Sequence, residues 1–311
     1  MESPNGEGAS SNPVAGETVP EVPCGEPTAM PQHSWSRVAG NTFRVRMGPN
    51  YLRTKHKEPS GEALYELVAI DWYRSEARLE RLGERISLPI VERGHPTVPS
   101  LFIINMQMPM EAPTVMRKKK VDGPTLHVVF YFAISEDTVK ALEDPDSASS
   151  SIRLLQAYCS QAESDPTMRR RLKTVALLRN MSVLELPKFI HPYNGKPVLF
   201  TKSGLLTRGN CKREIKAKGT GSDVRACRGN GNEGTGQGQD KEIGGEGGHG
   251  GSFAPGSYLE MDVNVWRWSF LARKGLNHVR HKFGSMCISV AFLVEGRSDD
   301  EVRGYLCNSC E

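Results

Sequence analysis

The sequence predicts an α+β fold: a single domain on a mainly antiparallel β-sheet, with a few packed helices. Strand-like runs dominate, and helical signals are fewer and fall between them. Once low-complexity stretches are set aside, about 220 residues remain, which is ample for one core.

Taken in order, 42–46 alternates apolar and polar residues with period two, as a half-buried strand does. Runs 64–73 and 101–108 are longer and mostly apolar, the second closed by Pro109. Run 125–134 is dominated by β-branched and aromatic residues, the composition that best fits a pleated surface. Runs 196–201, 257–265 and 285–294 follow, and 302–307 adds a short edge strand. Helices are predicted at 152–161, at 166–173 behind a capping Asp165, and at 266–283. In the last, Trp268, Leu271, Ala272, Leu276, Val279 and Phe283 recur at spacings of three and four.

Composition sets the limits. The 311 residues contain no apolar run of about 18, so a transmembrane helix is excluded, and the first residues lack the pattern of a secretory signal. Seven cysteines spread along the chain point to a reduced compartment and a cytoplasmic protein. Residues 1–40 read as a disordered, acidic, Pro/Gly-rich tail. Glu2, Glu7, Glu17, Glu21 and Glu26 lie there with no Lys or Arg before residue 35. The net charge of +4 therefore conceals a body of about +9. A second break, 210–254, is Gly-rich with few large apolar groups and reads as a disordered insertion into a domain spanning 41–308.

Few motifs carry chemistry. The G-x-G-x-x-G match at 229–234 has neither strand nor helix beside it, so it does not read as a nucleotide site. Cys307 and Cys310 form a C-x-x-C pair at the end of the chain, short of the four ligands a structural zinc needs. His278 and His281 share a helix with no thiolate or carboxylate at matching spacing. No metal or cofactor is expected, and the absence of hydrolase, zincin and phosphate-loop motifs argues against an enzyme. Two basic clusters remain. Arg117, Lys118, Lys119 and Lys120 occupy a loop between two apolar strands, and Arg273, Lys274, Arg280 and Lys282 lie on the last helix. Both suit a lipid headgroup layer. Neither comes with the exposed aromatics of a nucleic-acid module, so no nucleic acid is expected.

Several blocks, in order, resemble the C-terminal domain of the plant Enhanced Disease Resistance 2 family. They begin with Phe43-Arg-Val-Arg-Met-Gly-Pro-Asn-Tyr-Leu52 and Tyr65-Glu-Leu-Val-Ala-Ile-Asp-Trp-Tyr73. Phe102-Ile-Ile-Asn-Met-Gln-Met-Pro109 is similar to the family's Val-Asn-Leu-Gln-Val-Pro block. Tyr258-Leu-Glu-Met-Asp-Val-Asn-Val265 and Ser289-Val-Ala-Phe-Leu-Val-Glu-Gly296 come later. The resemblance implies a domain without established catalytic activity. In relatives it follows pleckstrin-homology and START domains, in membrane-associated proteins that restrain defence-linked cell death. Neither upstream domain is recognisable in these 311 residues. Two departures stand out: the 210–254 insertion replaces a short link, and the helix after Val265 is basic where the family's is apolar. The expectation is a non-catalytic regulatory module that binds lipid or docks peripherally on membranes. The alternative is a protein-interaction module, with an undetected hydrolase or metal enzyme third.

Overall fold

The computed structural model describes residues 13–24, 31–46, 51–114, 120–144, 148–186, 191–200, 204–211, 226–227, 252–297 and 307–309. The strands in chain order are β1 (Arg44–Arg46), β2 (Lys57–Pro59), β3 (Tyr65–Ser75), β4 (Leu88–Pro89), β5 (Leu101–Pro109), β6 (Thr125–Ile134) and β7 (Leu172–Leu178). They continue with β8 (Pro197–Leu199), β9 (Gly204–Asn210), β10 (Ala226–Cys227), β11 (Ser257–Asn264), β12 (Ile288–Val294) and β13 (Cys307–Ser309). The α-helices are α1 (Tyr51–Thr54), α2 (Glu136–Glu143), α3 (Ser150–Gln161), α4 (Pro166–Arg169) and α5 (Phe270–Val279).

Nine strands form one sheet in the order β8-β7-β12-β13-β3-β6-β5-β11-β9. Only the β5–β11 and β13–β3 pairs are parallel, so the fold is α+β with a mainly antiparallel sheet. Its centre is β6, paired with β3 and β5 along its whole length. Most of β6 is buried on both faces, which explains why 125–134 reads as a continuous apolar run. One face carries Phe102, Ile104, Phe130, Phe132, Leu259 and Met261, packed with Ile152, Leu155 and Tyr158 of α3. The other carries Ile103, Val129, Tyr131 and Tyr258, covered by Leu82, Ile86 and Leu88. Each longer helix starts on a side-chain cap: Ser135 Oγ accepts from Thr138 N–H, Ser149 Oγ from Ile152 N–H, and Ser269 Oγ from Ala272 N–H.

Several elements differ from the sequence reading. The helix expected over 166–173 stops after Arg169, because Leu172–Leu178 pairs with β12 and β8 as a strand. Helix 266–283 breaks into 3-10 turns at Val265–Arg267 and Arg280–Ser285 around the shorter α5. Within it Leu271 is 61% exposed, so its side chain does not join a core stripe, whereas Trp268 and Leu276 do pack inward. Of the strand expected over 302–307, residues 302–306 lie outside the described residues, and Cys307 opens β13, which lies between β12 and β3. Of the 210–254 stretch, Ala226–Cys227 pairs with β4, and 212–225 and 228–251 lie outside the described residues. Residues 13–24 belong by composition to the tail, yet they lie against the sheet, with Val19 buried and bridged to Ile70.

Candidate functional site

The β5–β6 connection and the α5 region meet at one end of the sheet. Strands β5 and β11 run parallel and finish side by side, so whatever follows each is brought together. Lys120 donates to both carboxylate oxygens of Glu111 at 2.7 Å and lies 5.4 Å over the Trp266 ring. Asn264 Nδ2 donates to Val121 O at 3.3 Å, and Trp266 Nε1 donates to Thr125 Oγ at 3.1 Å. From the turn after α5, Arg280 reaches back to Met110 O, and Lys282 reaches Leu184 O. Of the two sequence-singled clusters, Lys120 thus lies at the same end of the sheet as Arg280.

Their members play different parts. Lys274 is exposed on α5. Arg273 is 9% exposed, with its Nε buried and without a hydrogen-bond partner. Arg280 and Lys282 tie the turn to main-chain carbonyls while staying partly exposed. Arg117, Lys118 and Lys119 lie outside the described residues. Beside these cations the surface presents Phe270 at 37%, Leu271 at 61% and Val121 at 44% exposure. By sequence Phe270 suits an interface or a core; that Val121 and Leu271 face outward was missed. The signal was Ser269: capping the helix there starts α5 at Phe270 and turns Leu271 outward.

A second constellation is buried on the sheet face opposite α3. Glu260 and Asp262 sit two apart on β11, so both point to the same side, and neither is exposed beyond 1%. Glu260 accepts from Leu82 N–H at 2.8 Å and Gly83 N–H at 2.9 Å. Asp262 accepts from Arg81 N–H at 3.0 Å, Asn105 Nδ2 at 2.6 Å and Gln107 Nε2 at 3.3 Å. Asn105 and Gln107 also donate to Leu79 O, at 3.0 and 2.8 Å. Next along is His127. Its Nδ1 donates to Asn105 Oδ1 at 2.9 Å, since Asn105 Nδ2 is directed at Leu79 O and Asp262, and its Nε2 meets Ser75 Oγ at 3.0 Å and Leu79 N–H at 3.4 Å.

Burial governs the protonation of this network. Loss of solvation pushes Asp262 up to about 6. It also raises Glu260 well above the carboxylate range, helped by the neighbouring Asp262 charge. Burial, with the Arg78 guanidinium close by, holds His127 down to about 4, so it is neutral near pH 7. Every carboxylate oxygen has an N–H donor, and the donors come chiefly from 79–83. As arranged, the network fastens that loop to the sheet.

A cleft of about 400 Å³ lies elsewhere, between the turn at Pro96 and Thr97, α3 at Gln156 and Ala157, and Phe253. The apolar runs of β3, β5 and β6 do not back it. Among the described residues, no group of three His, Cys, Asp or Glu could hold a metal ion, and no helix is long and apolar enough to cross a membrane.

Sheet and latched loop together define a single-domain α+β module with an inward-facing polar network. A profile of the family described as protein Enhanced Disease Resistance 2, C-terminal, matches residues 35–306, and the chain belongs to that family. It is 30% identical over 111 residues to an Enhanced Disease Resistance 2-like protein of Arabidopsis thaliana. That stretch is 34% of this chain and 13% of the relative, so the relative extends far beyond the part matched. No solved structure matches significantly. Network residues Asn105, Gln107, Glu260 and Asp262 fall within the sequence blocks that carry the family resemblance.

Proposed function

We propose that this chain is a non-catalytic regulatory module that docks on anionic membrane surfaces through the α5 end of its sheet. What supports the reading is the adjacency of exposed apolar and basic groups on a rigid support. Phe270 and Leu271 share α5 and the turn after it with Lys274, Arg280 and Lys282, Val121 follows Lys120 directly, and Arg117, Lys118 and Lys119 belong to the same connection by sequence. Each cation near an anionic leaflet contributes on the order of 1 kcal/mol, and each large apolar side chain entering the headgroup boundary adds about 1.5–3 kcal/mol. Six or so groups acting together suffice for reversible peripheral binding. Family membership agrees with a regulatory or lipid-binding module at that coarse level.

Vesicle flotation tests it. The chain should float with phosphatidylcholine vesicles containing phosphatidylserine at low salt, and release at high salt. The double substitution Phe270→Ser and Leu271→Ser should cut binding several-fold, and Leu271→Ser alone, at a side chain 61% exposed, should weaken binding without changing thermal stability. Equal partition onto neutral and anionic vesicles would remove the electrostatic half of the reading. An unaffected double variant would remove the apolar half.

A further inference from the structure

Residues 13–24 are held on the fold by hydrogen bonds far more than by burial. Val19 is the one buried residue in the segment, yet its main chain meets three parts of the molecule. Ser87 N–H donates to Pro13 O at 2.8 Å, and Ala15 N–H to Ser87 O at 3.0 Å. Trp35 N–H donates to Pro20 O at 3.0 Å, and Val22 N–H to Trp35 O at 2.7 Å. Val19 bridges Ile70 on the β13 side of β3, where, among the described residues, β13 pairs with Tyr65 and Glu66. Gly16 is left-handed at φ +88°, and a Cβ on it would press on Ala69 at 3.1 Å.

At the centre is Asp71, fully buried on β3. Its carboxylate accepts from Gly16 N–H at 2.7 Å, Thr18 N–H at 3.0 Å and the Thr18 hydroxyl at 2.7 Å. The same hydroxyl oxygen accepts from Trp72 N–H at 2.7 Å. Thr18 therefore works in both directions, as donor to a buried anion and acceptor from the strand. Nothing else in the segment reaches Asp71 with a side chain.

We propose that Thr18 is a phosphorylation site, and that phosphate there unlatches 13–24 from β3. A segment with one buried side chain opens locally at small cost, and Thr18 itself is exposed in non-helical chain. Its flanks Glu17, Pro20 and Glu21 suit an acid-directed serine/threonine kinase. In the transfer, Thr18 Oγ attacks the γ-phosphorus of a nucleoside triphosphate and gives its proton to the kinase's base. The new O–P bond forms as the bond to the departing nucleoside diphosphate breaks. The product has lost its hydroxyl donor and gained a charge of roughly −2. Reclosing would set that charge against the Asp71 carboxylate in a site shielded from water, so the open state is favoured. Opening bares the main chain of β3 at Ile70 and Trp72, an edge that fits an extended strand from a protein partner.

The test treats the full chain with ATP and an acid-directed kinase, maps phosphate by mass spectrometry, and follows amide hydrogen exchange. Phosphate is expected on Thr18, with Ala15, Val22 and Trp72 exchanging about tenfold or more faster, as loss of a charge-assisted hydrogen bond implies. Thr18→Glu should reproduce the faster exchange without a kinase. Absence of phosphate from Thr18 would overturn the site assignment. Unchanged protection in the phosphorylated chain or in Thr18→Glu would overturn the unlatching. Neither outcome depends on whether the α5 surface binds membranes.

Discussion

Replacing Asn105 with Leu should disturb the buried network most, because Asn105 joins its two halves. The shapes are close, so the change is chiefly one of hydrogen bonding. Three bonds disappear: His127 Nδ1–H loses its acceptor at 2.9 Å, Asp262 loses its donor at 2.6 Å, and Leu79 O loses one of two donors. Leu79 O keeps Gln107 Nε2 at 2.8 Å, so that loss is small. A buried donor left without a partner costs about 1–3 kcal/mol, and a lost bond to a charged group about 1.5–3 kcal/mol. Their sum is about 2.5–6 kcal/mol, a large share of the stability of an ordinary domain. Shifting the His127 proton to Nε2 would aim it at Ser75 Oγ, 3.0 Å away, but would set a donor against Leu79 N–H at 3.4 Å, so the relief is partial. Urea unfolding followed by tryptophan fluorescence reads the total, and hydrogen exchange at Arg81, Leu82 and Gly83 reads the loop. A loss below about 1 kcal/mol with exchange unchanged at those amides would refute the latch.

Acid and base limbs of the same network should be separable by mutation. His127 is held down to about 4, so as pH falls from about 6.5 toward 4 the unfolded chain takes a proton that the native one refuses, and stability falls. Asp262, raised to about 6, has the opposite sign: its favourable contribution is complete below about pH 4 and is lost as pH rises through 6, with Glu260 adding to that trend. The Glu260→Gln/Asp262→Asn double variant should therefore lose stability on acidification from pH 7 to 4.5 and His127→Gln should gain it, read as urea midpoints; parallel slopes would contradict the assignment. Elsewhere, a Cβ on Gly209 would run into the buried Tyr258 ring, whereas one on Gly61 meets nothing within 4 Å. Gly209→Ala should cost about 1–3 kcal/mol in denaturant unfolding while Gly61→Ala leaves stability within about 0.5 kcal/mol, and equal effects would count against the close β9–β11 packing.

The central strands were legible because their residues obey local rules. Runs 64–73, 101–108 and 125–134 coincide with β3, β5 and β6 to within two residues, driven by β-branched and aromatic content. What local pattern does not contain is a partner. Leu172–Leu178 follows a Pro-started, Asp-capped turn that reads as helix, and only the neighbouring β12 and β8 make it a strand. Strand β9 has two glycines and no apolar alternation, and it exists through its register with β11. The basic residues were visible as clusters, but bringing Lys120 to the end where Arg280 lies depends on the parallel β5–β11 pair, which joins segments over 150 residues apart. The polar network did leave a trace: Glu260, Asp262 and Asn264 alternate in an otherwise apolar strand, as Asn105 and Gln107 do in β5. Such alternation marks one face as polar. That a loop from 79–83 would supply the donors could not be read from it.

Docking through the α5 end is tested most directly by fluorescence quenching from brominated lipid. A tryptophan at Leu271→Trp would sit among the exposed apolar groups. One at Asp137→Trp, a position 97% exposed in α2, follows the far end of the ten-residue β6, about 33 Å along the strand from the basic connection. On anionic vesicles carrying brominated chains, the tryptophan at 271 should shift to the blue and lose intensity, while the one at 137 keeps its emission. No quenching at 271, or equal quenching at both positions, would contradict the account.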